Sequence, residues 1–209
     1  MSTEEKQITL LRESVRSAMS ERRFYHTLEV EKMAVRLGEL YAPEKLFEIR
    51  AAALLHDITK EKSTEEHIDI LSSHNVEISA IDRLSEKTLH SRTAELVILY
   101  KYPEFAQTDI LCAVRRHTTG QADMTLLDAI IYLADYIDMS RKFDDCVRIR
   151  EYFWGKEPDK MPMSDRLIHL WRTLLLSFDI TLKALVEEGA VISSDTVDAR
   201  NSIICRLKG

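Results

Sequence analysis

The stretch AALLHDITKEK, Ala52 to Lys62, decides the fold of this chain. Alanine and leucine run without interruption into adjacent His56 and Asp57, after which a charged, solvent-loving run from Lys60 to Lys62 takes over. Upstream, Leu46, Ile49 and Ala53 recur three and four residues apart, the spacing that lines up one face of an α-helix. That face leads to His56. A helix that buries its side chains thus ends on an imidazole and a carboxylate, two groups whose transfer from water is costly unless they find partners.

The arrangement recurs. His26 opens a stripe continued by Val30, Met33, Leu37 and Tyr41; Ile110 and Val114 lead to His117; within LLDAIIYLADYID, Asp135 follows Ile131 by four residues. One buried histidine is ordinarily a packed ring bonded to a backbone carbonyl, but an unpaired buried aspartate costs several kcal/mol or shifts its pKa. If the set is structural, each acid needs its own arginine or lysine on a neighbouring helix. If it is functional, the groups share a cation. Imidazoles and carboxylates together suit a transition metal that keeps positions open for water and substrate, and iron, manganese, cobalt, nickel and zinc all accept such ligands.

Only five glycines and four prolines occur in 209 residues, too few turn signals for many short strands. The helical period predicts helices at Ile8–Met19, Arg22–Tyr41, Pro43–His56, Thr64–His74, Ser91–Tyr100, Thr108–His117, Thr125–Asp138 and Arg166–Glu188. The expected fold class is all-α, a single domain over residues 1–209 built as a helical bundle. STEE at Ser63 and TLLD at Thr125 read as capping boxes or their relatives, and Gly120 and Gly189 sit where helices should stop. The segment 141–164, with WGKEPDKMP, reads as a long loop or insertion.

Composition excludes several classes. No apolar run approaches the roughly 18 residues of a membrane span, and no signal-peptide pattern opens the chain, so a soluble cytoplasmic protein without membrane partners is expected. Cys112, Cys146 and Cys205 are odd in number and far apart, which offers neither a disulfide framework nor a thiolate metal site. A formal net charge of -6 argues against nucleic acid as a partner, because that affinity comes from neutralising phosphates with many basic groups. A small anion held by a few local arginines fits, and the exposed helical faces leave room for a homodimer.

The motif order, a lone His26, the pair His56 and Asp57, then His90, His117 and a late Asp135, resembles the HD superfamily of metal-dependent phosphohydrolases. RRFYHTLEVEKMAVRLGELY, RAAALLHDITKEKS, AVRRHTTGQADMTLLDAIIYLADYID and DTVDARN are similar, over about residues 22–201, to its YqeK branch, which contains iron-dependent symmetrical diadenosine tetraphosphate hydrolases releasing two ADP. Where that branch usually has a Pro-Gly turn before an arginine, this chain has DMSR.

The resemblance implies His26, His56, Asp57 and Asp135 as ligands of iron. His90 and His117 would lie on the open side of the metal, against phosphate oxygens or a second ion, and as imidazolium groups would offset charge at phosphorus. Asp57 or Asp135 would orient the attacking water. Arg23, Lys60, Thr118 and Arg141 would grip the polyphosphate, and Thr196 would approach the nucleotide. Tyr25, Tyr132 and Tyr136 are candidates for an adenine slot, while His67, His74 and His169 stay outside the motifs as surface or structural residues. An HD-type 5'-nucleotidase and a non-catalytic nucleotide-binding module are the alternative readings.

Overall fold

The computed structural model describes residues 2–209, and its regular elements are helices: α1 (Thr3–Ser17), α2 (Glu21–Tyr41), α3 (Leu46–Leu55), α4 (Thr64–Ser73), α5 (Ala80–Leu84), α6 (Glu86–Lys101), α7 (Thr108–Arg116), α8 (Leu126–Ile137), α9 (Asp144–Trp154), α10 (Met163–Glu187) and α11 (Ser194–Lys208). No strand occurs among the described residues, so the all-α reading holds. None of these helices is long and apolar enough to cross a membrane.

The decisive stretch lies at the centre. Ile49, Ala51, Ala52, Ala53, Leu54 and Leu55 are all fully inaccessible, and a stretch apolar on every side, as α3 is from Ala51 on, belongs inside a domain rather than on its surface. α1, α2, α7 and α8 surround it, and the small alanines let their backbones close in. One apolar cluster runs from Ile8 on α1 to Ile203 on α11. His56 and Asp57 follow the last turn of α3, so the end of the most buried helix delivers them into the interior.

Helix ends follow the local chemistry. Ser63 with Glu66 and Thr125 with Asp128 form complete capping boxes that start α4 and α8, satisfying N–H groups that a helix start leaves open. Gly120, after α7, adopts φ +67° and donates its N–H to the Arg116 carbonyl at 2.8 Å, the left-handed stop for which glycine is suited.

Three helices depart from the expected pattern. α5 and α11 lie outside the expected spans, and the long loop expected over 141–164 is corrected by α9. Cys146, Ile149 and Phe153, at i, i+3 and i+7, bury one face of α9, with Asp144 and Asp145 in its first turn, where acids favour the positive end of the helix dipole. Arg150, on the same helix, donates from Nε to the Ile137 carbonyl at 2.7 Å and from Nη2 to the carbonyls of Arg141, at 2.8 Å, and Asp138. α9 thereby clasps the turn that follows α8.

Candidate metal centre

Five helices deliver the ionisable groups to one place. His26 comes from the first turns of α2, Asp135 from α8, and His56 with Asp57 from the end of α3. His90 enters from α6 and His117 from the end of α7. His26 Nε2 lies 3.0 Å from Asp135 Oδ1 and 3.7 Å from Asp57 Oδ2, while His56 Nε2 lies 3.5 Å from Asp57 Oδ2 and 3.8 Å from Asp135 Oδ1. Ligand atoms sharing one ion at about 2.1 Å sit roughly 3.0–3.5 Å apart, so two of these separations fall in that range and the other two lie just beyond it. Asp57 Oδ1 faces the other way, 3.3 Å from His90 Nε2 and 3.7 Å from His117 Nε2.

Each acid does carry an arginine, the arrangement a purely structural set requires. Arg23 Nη1 donates to Asp57 Oδ2 at 2.8 Å, and Arg141 Nη2 to Asp135 Oδ1 at 2.5 Å. What the arginines leave unresolved decides between the readings. His56 Nδ1 donates to the Ala53 carbonyl at 2.7 Å; a carbonyl only accepts, so the proton is on Nδ1 and a neutral ring presents a bare lone pair at Nε2. His117 is fixed in the same way by the Val114 carbonyl at 2.7 Å. The Nε2 atoms of His26 and His56 are buried without a hydrogen-bond partner, and both aim at carboxylate oxygens. Lone pairs facing lone pairs in a buried site call for a cation, and the residues fit a divalent metal with nitrogen and oxygen ligands.

The electrostatics agree. Burial alone would raise the Asp57 carboxyl, but the imidazoles of His56, His117 and His90 hold it well below the usual carboxylate range. Asp135 is lowered against its own burial chiefly by Arg141, with help from His26. Burial would lower His26, but the adjoining Asp135 and Asp138 carboxylates outweigh it and push the ring up to about 9 in the absence of an ion: the pocket attracts positive charge. His90 and His117 behave oppositely. Burial drives His90 down to about 3 and lowers His117 as well, which disfavours the imidazolium forms expected from sequence.

The phosphate-side candidates fall into two groups. Arg23 and Arg141 retain 20% and 30% side-chain exposure at the mouth of the cluster. Lys60 Nζ reaches both ring nitrogens of His90, at 3.3 and 3.2 Å, and burial lowers its pKa. Thr118 Oγ1 lies 3.1 Å from His117 Nε2 and also lines a cavity of about 460 Å³ with Arg83, Leu84, Lys87, Leu185 and Thr196. Thr196 therefore belongs to the cavity and not to the metal cluster. None of Tyr25, Tyr132 and Tyr136 lines this cavity: Tyr25 is 58% exposed, and Tyr132 is buried with its ring stacked 4.6 Å from Phe178.

His67 and His169 are buried away from the centre, bonded to Thr93 Oγ1 at 2.8 Å and the Phe153 carbonyl at 2.9 Å, and half-buried His74 caps the end of α4. Burial lowers His67 and His169. With folded values below the unfolded reference, their contribution to stability is present above about pH 6.5 and lost as pH falls through that value toward the lowered ones. Melting temperature is expected to drop between pH 7.5 and 5.5, and less steeply in His67→Gln/His169→Gln; equal slopes would show that other groups govern the acid limb.

Sequence reading did not single out Asp138, fully buried, or Ser140, whose Oγ lies 2.9 Å from His26 Nδ1. Asp138 closes the YLADYID block, but only the turn after α8 reveals that it folds back towards His26.

The comparisons accord with this geometry. The HD domain profile matches residues 23–140. A Bacillus subtilis protein named bis(5'-nucleosyl)-tetraphosphatase, symmetrical, is 33% identical over 138 residues, 66% of this chain and 72% of that protein. A Staphylococcus aureus protein of the same name is 24% identical over 183 residues, 88% of this chain and 87% of its own length. A crystal structure from Clostridium acetobutylicum, described as a "predicted HD superfamily hydrolase involved in NAD metabolism", superposes with a TM-score of 0.80 at 30% identity, covering 95% of this chain and 97% of that one. The profile spans every residue of the His26, His56, Asp57, His90, His117 and Asp135 cluster, and the chain belongs to the HD domain family.

Proposed function

We propose that the protein hydrolyses diadenosine tetraphosphate and related dinucleoside polyphosphates symmetrically, giving two ADP, with iron as its metal and the cytoplasm as its place of action. The observation that carries this reading is the buried convergence of His26, His56, Asp57 and Asp135 beside two arginines at the mouth. The names of the B. subtilis and S. aureus relatives support the substrate.

His26, His56, Asp57 and Asp135 would hold the ion. When bound, it would act as a Lewis acid on a phosphoryl oxygen and lower the pKa of a water molecule. The remaining chemistry belongs to the chain. Water attacks an inner phosphorus, the central anhydride bond breaks, and the second ADP leaves, with one proton released to solvent or base. Asp57 or Asp135 orients the water through a carboxylate oxygen. Arg141 and Arg23, turning from their acids toward phosphate, offset charge on the phosphoryl oxygens, in keeping with a reaction that depends mainly on positioning and charge stabilisation. Lys60 holds His90, and neutral His90 and His117 offer a donor and an acceptor, or ligands for a second ion. One nucleoside half occupies the cavity beside Thr118, between the aliphatic walls of Leu84 and Leu185.

Incubation of metal-loaded protein with diadenosine tetraphosphate, followed by chromatography, should give ADP alone. Nucleoside plus phosphate from a nucleoside monophosphate, without ADP from the dinucleotide, would replace this reading with the nucleotidase one. Binding without any product would leave a non-catalytic module. Arg141→Ala is expected to raise the KM for the dinucleotide about tenfold, since charge-assisted hydrogen bonds contribute about 1.5–3 kcal/mol; unchanged KM and turnover would remove Arg141 from the site.

A further inference from the structure

We infer that Ser140, backed by Asp138, is a positioning residue that sets the protonation pattern and aim of His26 and thereby controls metal affinity. The inference rests on His26 as a metal ligand and not on which phosphate ester is cleaved. A hydroxyl has one proton. Ser140 Oγ donates it to Asp138 Oδ1, in a short contact, while the Ser140 N–H donates to the same oxygen at 2.7 Å. Its lone pairs are all that remain for His26 Nδ1, 2.9 Å away, so the ring nitrogen must be the donor. The proton on Nδ1 leaves Nε2 to face Asp135 and Asp57.

This arrangement is built into the fold. Asp138 is fully buried, and its second oxygen lacks a hydrogen-bond partner, lying 3.5 Å from His26 Nδ1 and 3.6 Å from Arg141 Nε. A buried carboxylate held this way orients its neighbours far more effectively than solvent would. His56 and His117 use backbone carbonyls for the same purpose. His26 lies in the first turns of α2, and its Nδ1 partner is a side chain contributed by another element. Of these three rings, it is therefore the one whose orientation a single substitution elsewhere can release.

The test is titration of metal-free protein with cobalt(II), followed by visible absorption, in wild type, Ser140→Ala and Ser140→Thr. Loss of a partner that orients a metal-binding histidine typically costs 10–100-fold in affinity. Ser140→Ala should weaken cobalt binding at least about tenfold with melting temperature nearly unchanged, and Ser140→Thr, which restores the hydroxyl, should recover most of it. At saturating metal the KM for substrate should be unaltered. An alanine variant that binds cobalt as tightly as wild type would overturn the inference, as would equal weakening by alanine and threonine accompanied by equal loss of melting temperature. Wild-type protein that fails to bind cobalt would overturn it through His26 itself, whereas cobalt binding that depends on Ser140 without cleavage of diadenosine tetraphosphate would uphold it while sinking the proposed substrate.

Discussion

Asp57→Ala is expected to cut turnover of diadenosine tetraphosphate by roughly three orders of magnitude, because a Lewis acid supplies several kcal/mol at the transition state and each 1.36 kcal/mol is tenfold in rate. Asp57 is singular in facing two histidine pairs, with Oδ2 toward His26 and His56 and Oδ1 toward His90 and His117. Its removal also strips Arg23 of its partner, and breaking a buried ion pair from one side costs about 3–5 kcal/mol of stability. Asp57→Asn separates the two effects, since it keeps the shape and one acceptor oxygen while discarding the charge. Circular dichroism, melting temperature and product chromatography on both variants are the measurements. A folded Asp57→Asn protein with wild-type turnover would take the carboxylate out of the chemistry.

A second large effect on stability is expected outside the proposed ligands. A Cβ on Gly120 would meet Phe178 Cζ at 2.6 Å and Ala199 Cβ at 2.8 Å, and the backbone there is left-handed, with φ +67°. Phe178 is buried in the core and Ala199 sits on α11, so neither can swing out of the way as a flexible surface side chain would. The left-handed conformation costs a residue with a Cβ about 1–2 kcal/mol, and overpacking a core typically adds about 1–3 kcal/mol. Gly120→Ala should therefore lose about 2–5 kcal/mol in urea unfolding. Because Thr118 precedes this turn by two residues and touches His117, activity measured on the surviving folded fraction should fall as well. A loss below about 0.5 kcal/mol would mean that α10 and α11 yield more readily than their burial implies.

The buried stripes ending on His26, His56 with Asp57, His117 and Asp135 were legible because each is a local pattern: helical period on one side, an ionisable group on the other. Their convergence follows from the burial of α3, whose last turns from Ala51 to Leu55 are apolar on every side, since a central helix brings its neighbours together. α9 was obscured by its composition. An eleven-residue span with five charges and only three buried residues, followed by Gly155 and two prolines, resembles a loop until Phe153 is seen packed on His169. α11 relies on Ala199 and Ile203, a stripe too small to stand out. The effect of burial on His90 and His117 was not legible because desolvation depends on what surrounds a ring in space. The aliphatic walls of the cavity escaped notice for a related reason, as Leu84 and Leu185 are ordinary helix residues until α5, α10 and α11 meet.

The clasp that Arg150 forms on the carbonyls of Ile137, Asp138 and Arg141 separates two boundaries that are easily equated. The HD profile match ends at residue 140 and contains all four proposed ligands, yet the guanidinium that fastens its last turn comes from ten residues further on. A shortened protein ending at that border would carry every metal-binding side chain and lack the latch on the turn that holds Ser140 beside His26, so it is expected to bind an ion more weakly than one that reaches through Trp154.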